Sequence, residues 1–413
     1  MGVQKIQLTV NAWFGDEETE ISLPSNWEVT ECRMAGHDKP ALTDDEIRAA
    51  IQNPIGSPRL SELARGKKEV VILFDDPPKP TPTSRVAPFV LEELHAGGIS
   101  DDHIRFLCAP GTHRPLSTPE FVAKLGEEIV ARYPVYNHNI YENLVYVGET
   151  SRGTPVHVNR EYASCDLHVG IGSIIPHQSA GFGAGGKIIM PGIAGIQTIK
   201  AHHQKMRTPP YNANVGLAKI DGNEFRLDIE EAARLAGLHF KADTVLNNRR
   251  QVVGLFAGDF VEEHRAGVKL AREVYGTEMV GDADVIISNS YPDEHQYNRA
   301  VWVAPKYLKE GGDLVVVSLS SEGQICHQYT GRFGTDFGGA GWSLGARAKP
   351  LAKVSKVYIV APFLSRYDRM EWGNEKVVWC KSWGEALAEL TTRHGAGTKA
   401  VVYPYSPLQF PAE

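Results

Sequence analysis

The segment KIQLTVNAW, near the start of the chain, alternates apolar and polar positions with a period of two, which predicts a half-buried strand. In TDDEIRAAIQN, Thr43 stands before an acidic first turn and apolar positions at helical spacing, so a helix is expected there. The β-branched run in KEVVILFDDPPKPTP must stop as a strand where the acids and prolines begin, since proline has no amide to give to a ladder. TSRVAPFVLEELHAGG reads as a helix closed by glycines. HIRFLCAPGTHRPLS and then CDLHVGIGSIIPH repeat the theme of strand followed by loop. DIEEAARLAGLHFKADTVLN and FVEEHRAGVKLAREVYG carry amphipathic helical spacing on either side of a short strand, QVVGLFAG. After Gly276 the pattern restarts, with ADVIISNSYP, GDLVVVSLS, SKVYIVAPF and KAVVYPYSP separated by helical stretches. The expected class is α/β: two α/β domains with mostly parallel sheets, spanning 1–272 and 273–413, with functional loops at strand ends and the active site in the interdomain cleft.

Composition narrows the partners. A chain of 413 residues is long for one core, which agrees with two domains. The net charge is −7 and there is no basic tract, so nucleic acid is excluded as a partner. Cys32, Cys108, Cys165, Cys326 and Cys380 are scattered, odd in number and never spaced CxxC. That usage fits a reducing compartment and disfavours a cysteine-rich zinc site. The start MGVQKIQLTVNAW has neither a basic leader nor a continuous apolar stretch, and no apolar run approaches the roughly 20 residues of a membrane span. The expectation is a soluble, cytoplasmic protein that uses no membrane.

Four loops hold the candidate chemistry. In DDPPKPTPT, Asp75, Asp76 and Lys79 read equally as a turn with surface charges and as an acid and a base held rigidly at the mouth of an α/β cleft. In APGTHRPLS, His113 follows a strand and a Gly-Thr turn; a histidine there can move protons near neutral pH, although a lone histidine is more often a capping or surface residue. In PHQSAGFGAGGKIIMPGIAG, His177 precedes a glycine-rich turn that presents Lys187. Gly185, Gly186 and their neighbours can offer backbone N–H groups at close range, but no Walker pattern is present, since Ile188 follows the lysine. Desolvation in so apolar a setting would lower the lysine pKa and favour its use as a nucleophile. In KAHHQKM, His202 and His203 are adjacent on a helix and point about 100° apart, so both cannot easily serve one metal. No HExxH motif supports a zinc hydrolase.

Taken in order, DDPPKPTP, GTHRPLS, PHQSAGFGAGGKIIMPGIAG, the HH pair and LFAGDFVEEHRAG resemble the nickel-dependent lactate racemase family and its wider set of 2-hydroxyacid racemases and epimerases. The resemblance spans the N-terminal two-thirds and continues more loosely through SYPDEHQYNRA. It implies an isomerase that inverts the carbinol carbon of a small 2-hydroxy acid by reversible hydride transfer. The implied cofactor is a nickel-pincer nucleotide, the pyridinium-3-thioamide-5-thiocarboxylic acid mononucleotide with Ni(II), covalently attached to Lys187. His203, rather than His202, is implied as the nickel ligand, His113 and His177 as the two acid/base residues, and Asp76 as a positioning acid. Gly185 and Gly186 are implied cofactor contacts. The resemblance also implies cofactor-synthesis proteins as partners. On this reading the first domain binds cofactor and catalyses, and the second closes over substrate.

The chain departs from the pattern at the substrate end. Lys79 stands where the family has an arginine, a point charge in place of a planar fork. Asn298, Arg299 and Trp302 stand where lactate racemases carry Tyr, Gln and Lys, with His295 and Gln296 nearby. A larger or more acidic 2-hydroxy acid, or a sugar acid, is expected in place of lactate. The rival readings are a pincer-dependent redox or elimination enzyme and a non-catalytic cofactor-binding homologue.

Overall fold

The computed structural model describes residues 2–207, 212–325, 327, 352–365 and 375–412, with the side chains of 205–207 left aside. The chain divides into two compact units, one of Asp38–Val274 and one of Met1–His37 together with Tyr275–Glu413.

The first unit is built on a six-stranded sheet. Its order is Val252–Gly258, Phe240–Leu246, Leu167–Ser173, Val70–Phe74, Ile104–Cys108, Val135–Asn137. All neighbours are parallel except the first pair, where Val252–Gly258 runs antiparallel. The central strands are buried along their whole length, as continuous apolar runs such as VVILF require when both faces are covered. The helix expected after Thr43 is present at Asp44–Gln52 with a full capping box: Glu46 N–H donates to the Thr43 hydroxyl and the Glu46 carboxylate accepts the Thr43 N–H. The chain starts in mid-sheet at Val70–Phe74, steps outward through Ile104–Cys108 and Val135–Asn137, then returns to the other side at Leu167–Ser173. The direction of winding therefore reverses between Val70–Phe74 and Leu167–Ser173. Ligands of open α/β sheets bind at the carboxyl ends of strands beside such a reversal.

The second unit has its own six-stranded parallel sheet, ordered Val377–Cys380, Val357–Val360, Leu308–Val317, Ala283–Asn289, Lys399–Tyr403, Glu28–Glu31. Residues 1–37, expected to open the first domain, belong here instead. The reason is strand pairing: Glu28–Glu31 adds to the edge of Lys399–Tyr403, and the hairpin Val3–Val10 with Glu17–Pro24 packs Leu8, Val10, Ile21 and Leu23 on one sheet face. The strand read through KIQLTVNAW ends at Val10, and its last residues form the hairpin's tip. The helix expected after ADVIISNSYP is a 3-10 stretch, Glu294–Val301.

Candidate active site

Three loops leave the carboxyl ends of adjacent strands in the first unit. The loop after Val70–Phe74 brings Asp75 and Asp76. The loop after Ile104–Cys108 brings His113. The loop after Leu167–Ser173 brings His177 and Lys187. Backbone and side-chain hydrogen bonds join them: Gly111 N–H donates to the Gly192 carbonyl at 2.9 Å, and the Ser173 hydroxyl donates to that of Thr81 at 2.8 Å.

Asp76 and His113 form a dyad, with Nδ1 of the imidazole 2.5 Å from the Asp76 carboxylate. Burial alone would raise the Asp76 pKa. The charge and hydrogen bond of His113, with Lys79 and Lys124 nearby, outweigh that and hold it down at about 2. An ionised Asp76 takes the Nδ1 proton as a hydrogen bond, which fixes the tautomer and leaves the His113 lone pair on Nε2. Asp75 and Asp76 are thus no surface charges. Asp75 pairs with Lys124 at 2.7 Å, and the Lys124 side chain is 0% exposed. Lys124 also donates to the carbonyls of Lys79 and Thr81, both at 3.0 Å, so it staples the proline-rich loop from beneath. Lys79 itself is half-buried within that loop.

His177 is held the opposite way. Its Nδ1 accepts the backbone N–H groups of Ser179 at 3.2 Å and Ala180 at 3.1 Å. A nitrogen that accepts carries no proton, so the imidazole proton sits on Nε2. In this state His113 presents a lone pair and His177 an N–H.

Lys187 lies half-buried in a 3-10 turn, Gly185–Ile188. The glycines before it serve the protein's own packing. A side chain at Gly185, whose φ is +57°, would stand 2.9 Å from the Phe260 carbonyl, and one at Gly186 would stand 3.0 Å from Cβ of Ala233. The Gly185 N–H donates to Asp243 at 2.7 Å. At both positions a side chain would press on the chain's own atoms.

The helix Ile196–Arg207 carries the histidine pair. His202 is fully buried and its Nδ1 lies 2.7 Å from Asp228, a carboxylate that also accepts the hydroxyls of Thr150 and Thr154. His203 is half-buried, and its Nδ1 donates to the Ile199 carbonyl at 2.9 Å, which leaves its lone pair on Nε2. That is how metal-binding histidines are usually oriented. The Phe225 ring, which sequence reading missed, gathers the histidines: its centroid is 4.1 Å from His202, 5.4 Å from His203 and 6.4 Å from His177.

The remaining candidates belong to the second unit, at the carboxyl end of Ala283–Asn289. His295 is buried with Nε2 3.1 Å from Glu322. Arg299 is buried in an ion pair with Asp293, and its guanidinium lies 4.9 Å from the centre of the Trp302 ring. Asn298 and Gln296 are half-buried on the same stretch. Sequence reading also missed the hairpin tip. Asn11, Trp13 and Asp16 all adopt positive φ, and the Asn11 and Ala12 N–H groups both donate to Glu294 at 2.7 Å. The Phe14 ring reaches His295 at 6.4 Å. The signal was the turn-forming run NAWFGD between two alternating segments.

These features define an α/β protein with an acid–histidine dyad, a second histidine and a lysine-bearing turn at a sheet's winding reversal. Comparison with known proteins makes this specific. Residues 14–214 match the lactate racemase N-terminal domain. The chain is 34% identical to the lactate racemase of Lactiplantibacillus plantarum over 322 residues, 76% of this chain and 73% of that protein. It is 32% identical to the lactate racemase of Thermoanaerobacterium thermosaccharolyticum over 298 residues, 70% of this chain and 69% of that one. The chain belongs to the lactate racemase family. Its fold matches that of the lactate racemase apoprotein from T. thermosaccharolyticum, with a TM-score of 0.74 and 24% identity over 99% of this chain and all of that one. A Thermotoga maritima protein also shares the fold, with a TM-score of 0.65 and 17% identity over 89% of this chain and 98% of that one.

Proposed function

We propose that this protein is a racemase or epimerase that inverts the carbinol carbon of a 2-hydroxy acid other than lactate. The observation that carries the reading is the pair of histidines held in complementary states, His113 by Asp76 and His177 by two backbone N–H groups. Stereoinversion at a carbinol needs proton exchange with the hydroxyl on two faces, and two separately oriented imidazoles supply it.

The donor set fits a nickel-pincer nucleotide. His203, its Nδ1 committed to the Ile199 carbonyl, offers a single imidazole donor through Nε2, which suits a nickel that brings its other ligands with it. Lys187 would hold the cofactor covalently and His203 would ligate the nickel through Nε2. When bound, the group supplies a reversible acceptor for the hydrogen on the carbinol carbon. The chain's residues do the rest. His113 accepts the hydroxyl proton at Nε2, and Asp76 stabilises the imidazolium that results. Donation of Nε2–H by His177 orients the substrate oxygen; to work as a base, His177 must first release the two N–H groups at Nδ1. Lys79 supplies a point charge for the carboxylate.

The choice of acid we assign to His295, Asn298, Arg299 and Trp302. Arg299, paired with Asp293 and set over the Trp302 ring, gives this stretch a charge and bulk that support an acid other than lactate. Cofactor-synthesis proteins would be partners, and the protein would work in the cytoplasm.

Intact mass and nickel analysis of protein made alongside the cofactor-synthesis machinery tests the reading. The expected result is one nickel per chain and an adduct on Lys187; an unmodified lysine without nickel sinks it. Chiral chromatography over a panel of 2-hydroxy acids then identifies the substrate, and full activity in a His113→Ala variant would remove the proposed base.

A further inference from the structure

Beneath the lysine-bearing turn lies a buried charged cluster that no sequence motif announced. Lys241 and Asp243, two residues apart on Phe240–Leu246, form an ion pair with both side chains fully buried. Glu263, also fully buried, lies against Asp243; burial first, then the Asp243 charge, push its carboxyl upward, which favours its neutral form. The Lys241–Asp243 pair itself is balanced in charge, which makes its burial tolerable.

Its position depends on two glycines of the neighbouring strand. A side chain at Gly172 would stand 2.9 Å from both the Lys241 amine and the Asp243 carboxylate, and 3.7 Å from the carboxylate of Asp75. One at Gly170 would stand 2.8 Å from the Lys241 chain. Lys241 therefore occupies the space that the GIG stretch leaves open, its amine paired with Asp243 and the Asp75 carboxylate close to the same space. Asp75 holds the first loop, through Thr81 at 2.5 Å and Lys124 at 2.7 Å. Asp243 holds the third, through the Gly185 N–H at 2.7 Å. The rest of that loop is clamped from the same side. Arg226 donates to the carbonyls of Ala180, Phe182 and Gly183, Asn223 to that of Ser179, and His264 to Gly183 at 2.7 Å.

We infer that Lys241 and Asp243 are positioning residues: seated where Gly172 has no side chain, they brace the loop of Asp75 against the turn of Gly185 and so set where the Lys187 amine is presented. Asp243 acts two residues upstream of the lysine, through the backbone, and touches no reacting group. The inference rests on Lys187 being the amine the site uses.

The test reads the apoprotein, so it does not depend on what Lys187 carries. Hydrogen exchange at the Gly185 amide is measured with the rate at which a small neutral acylating reagent, N-acetoxysuccinimide, modifies Lys187, followed by peptide mass spectrometry. Exposed Lys68 and Lys269 in the same unit are the internal controls. Asp243→Asn removes the charge from the acceptor; exchange at Gly185 is expected to rise about tenfold, the scale of a charge-assisted hydrogen bond. The Lys187 rate is expected to change severalfold while Lys68 and Lys269 keep theirs. Gly172→Ala serves where Asp243→Asn folds poorly. Its added methyl meets the ends of the buried pair and no backbone, so it should disturb the brace directly and reproduce both changes. Wild-type exchange and labelling in Gly172→Ala and in folded Asp243→Asn would overturn the inference. So would a Gly185 change that leaves Lys187 untouched, or a shift shared by Lys68 and Lys269, which marks general loosening. Failure of the cofactor reading is seen elsewhere, in an unmodified Lys187 after loading.

Discussion

Asp76 is 2% exposed and still ionised, because an imidazole, an amine and a buried ammonium surround it. A carboxylate whose pKa falls on folding stabilises the fold above its unfolded pKa of about 4. That contribution is lost as pH drops toward the folded value of about 2. Asp76→Asn should therefore be less stable than wild type at pH 7, with the gap in Tm closing as pH approaches 2. An asparagine no longer holds the His113 tautomer or stabilises its charged form. In the loaded enzyme kcat/KM should fall by about 100-fold or more, the scale of a misdirected general base. Unchanged kinetics in a folded Asp76→Asn protein would remove the dyad from the mechanism. At this scale the sequence was informative where residue type implies chemistry: Asp76, His113, His177 and Lys187 all stand on loops at the carboxyl ends of one sheet. It was silent on Phe225, Lys241 and Asp243. A lysine and an aspartate two apart in FKADTVL look like any exposed edge until the glycines of the next strand are known to face them.

Among the elements, the PGIAG turn shows how a loop can be as unforgiving as a core. A side chain at Gly192 would meet the Ile188 carbonyl at 2.0 Å and Cβ of Ala109 at 3.1 Å. Backbone cannot step aside as a side-chain end does, so Gly192→Ala should cost about 3 kcal/mol, at the upper end of overpacking penalties. Urea unfolding checks this, and a change in midpoint under a tenth of the wild-type value would show that the turn yields. The contrast with Gly172→Ala, whose methyl meets side-chain ends of a buried ion pair and no backbone, tests whether contact type decides the cost. Periodicity located the strands that are β-branched runs bounded by Gly, Pro or acids, such as Val70–Phe74, Leu167–Ser173 and Ala283–Asn289. It read Phe240–Leu246 as the end of a helix that in fact stops at Leu235, and it passed over the short strands Glu28–Glu31, Val135–Asn137 and Val377–Cys380. It missed the hairpin of Leu144–Glu149 and Pro155–Asn159, although VYV and VHV flank an evident turn. It also took the stretch after Tyr291-Pro292 for a regular helix. There Gln296 breaks helical geometry, and Ser318 and Gln324 bind the Glu294 carbonyl in place of a helical amide.

Across the whole molecule, strand order is what local pattern could not supply. Pairing Glu28–Glu31 with Lys399–Tyr403 joins segments from opposite ends of the chain, and nothing in either segment names the other. The consequence is testable by dissection. Asp38–Val274 has a complete sheet and its own core, from Ile47 and Val70 through Ala257, so a fragment of those residues should fold cooperatively alone. The fragment 275–413 should not. Without residues 1–37 it loses Leu8, Val10, Ile21, Leu23 and Trp27 from one sheet face. At about 2 kcal/mol for each buried side chain, that is roughly 10 kcal/mol, comparable to the whole stability of a domain. Joining 1–37 to 275–413 by a short linker, or supplying 1–37 as a peptide, should restore a cooperative thermal transition. If 275–413 alone melts cooperatively at the same temperature as the joined form, the hairpin and its strand are an addition to that unit and not part of its core.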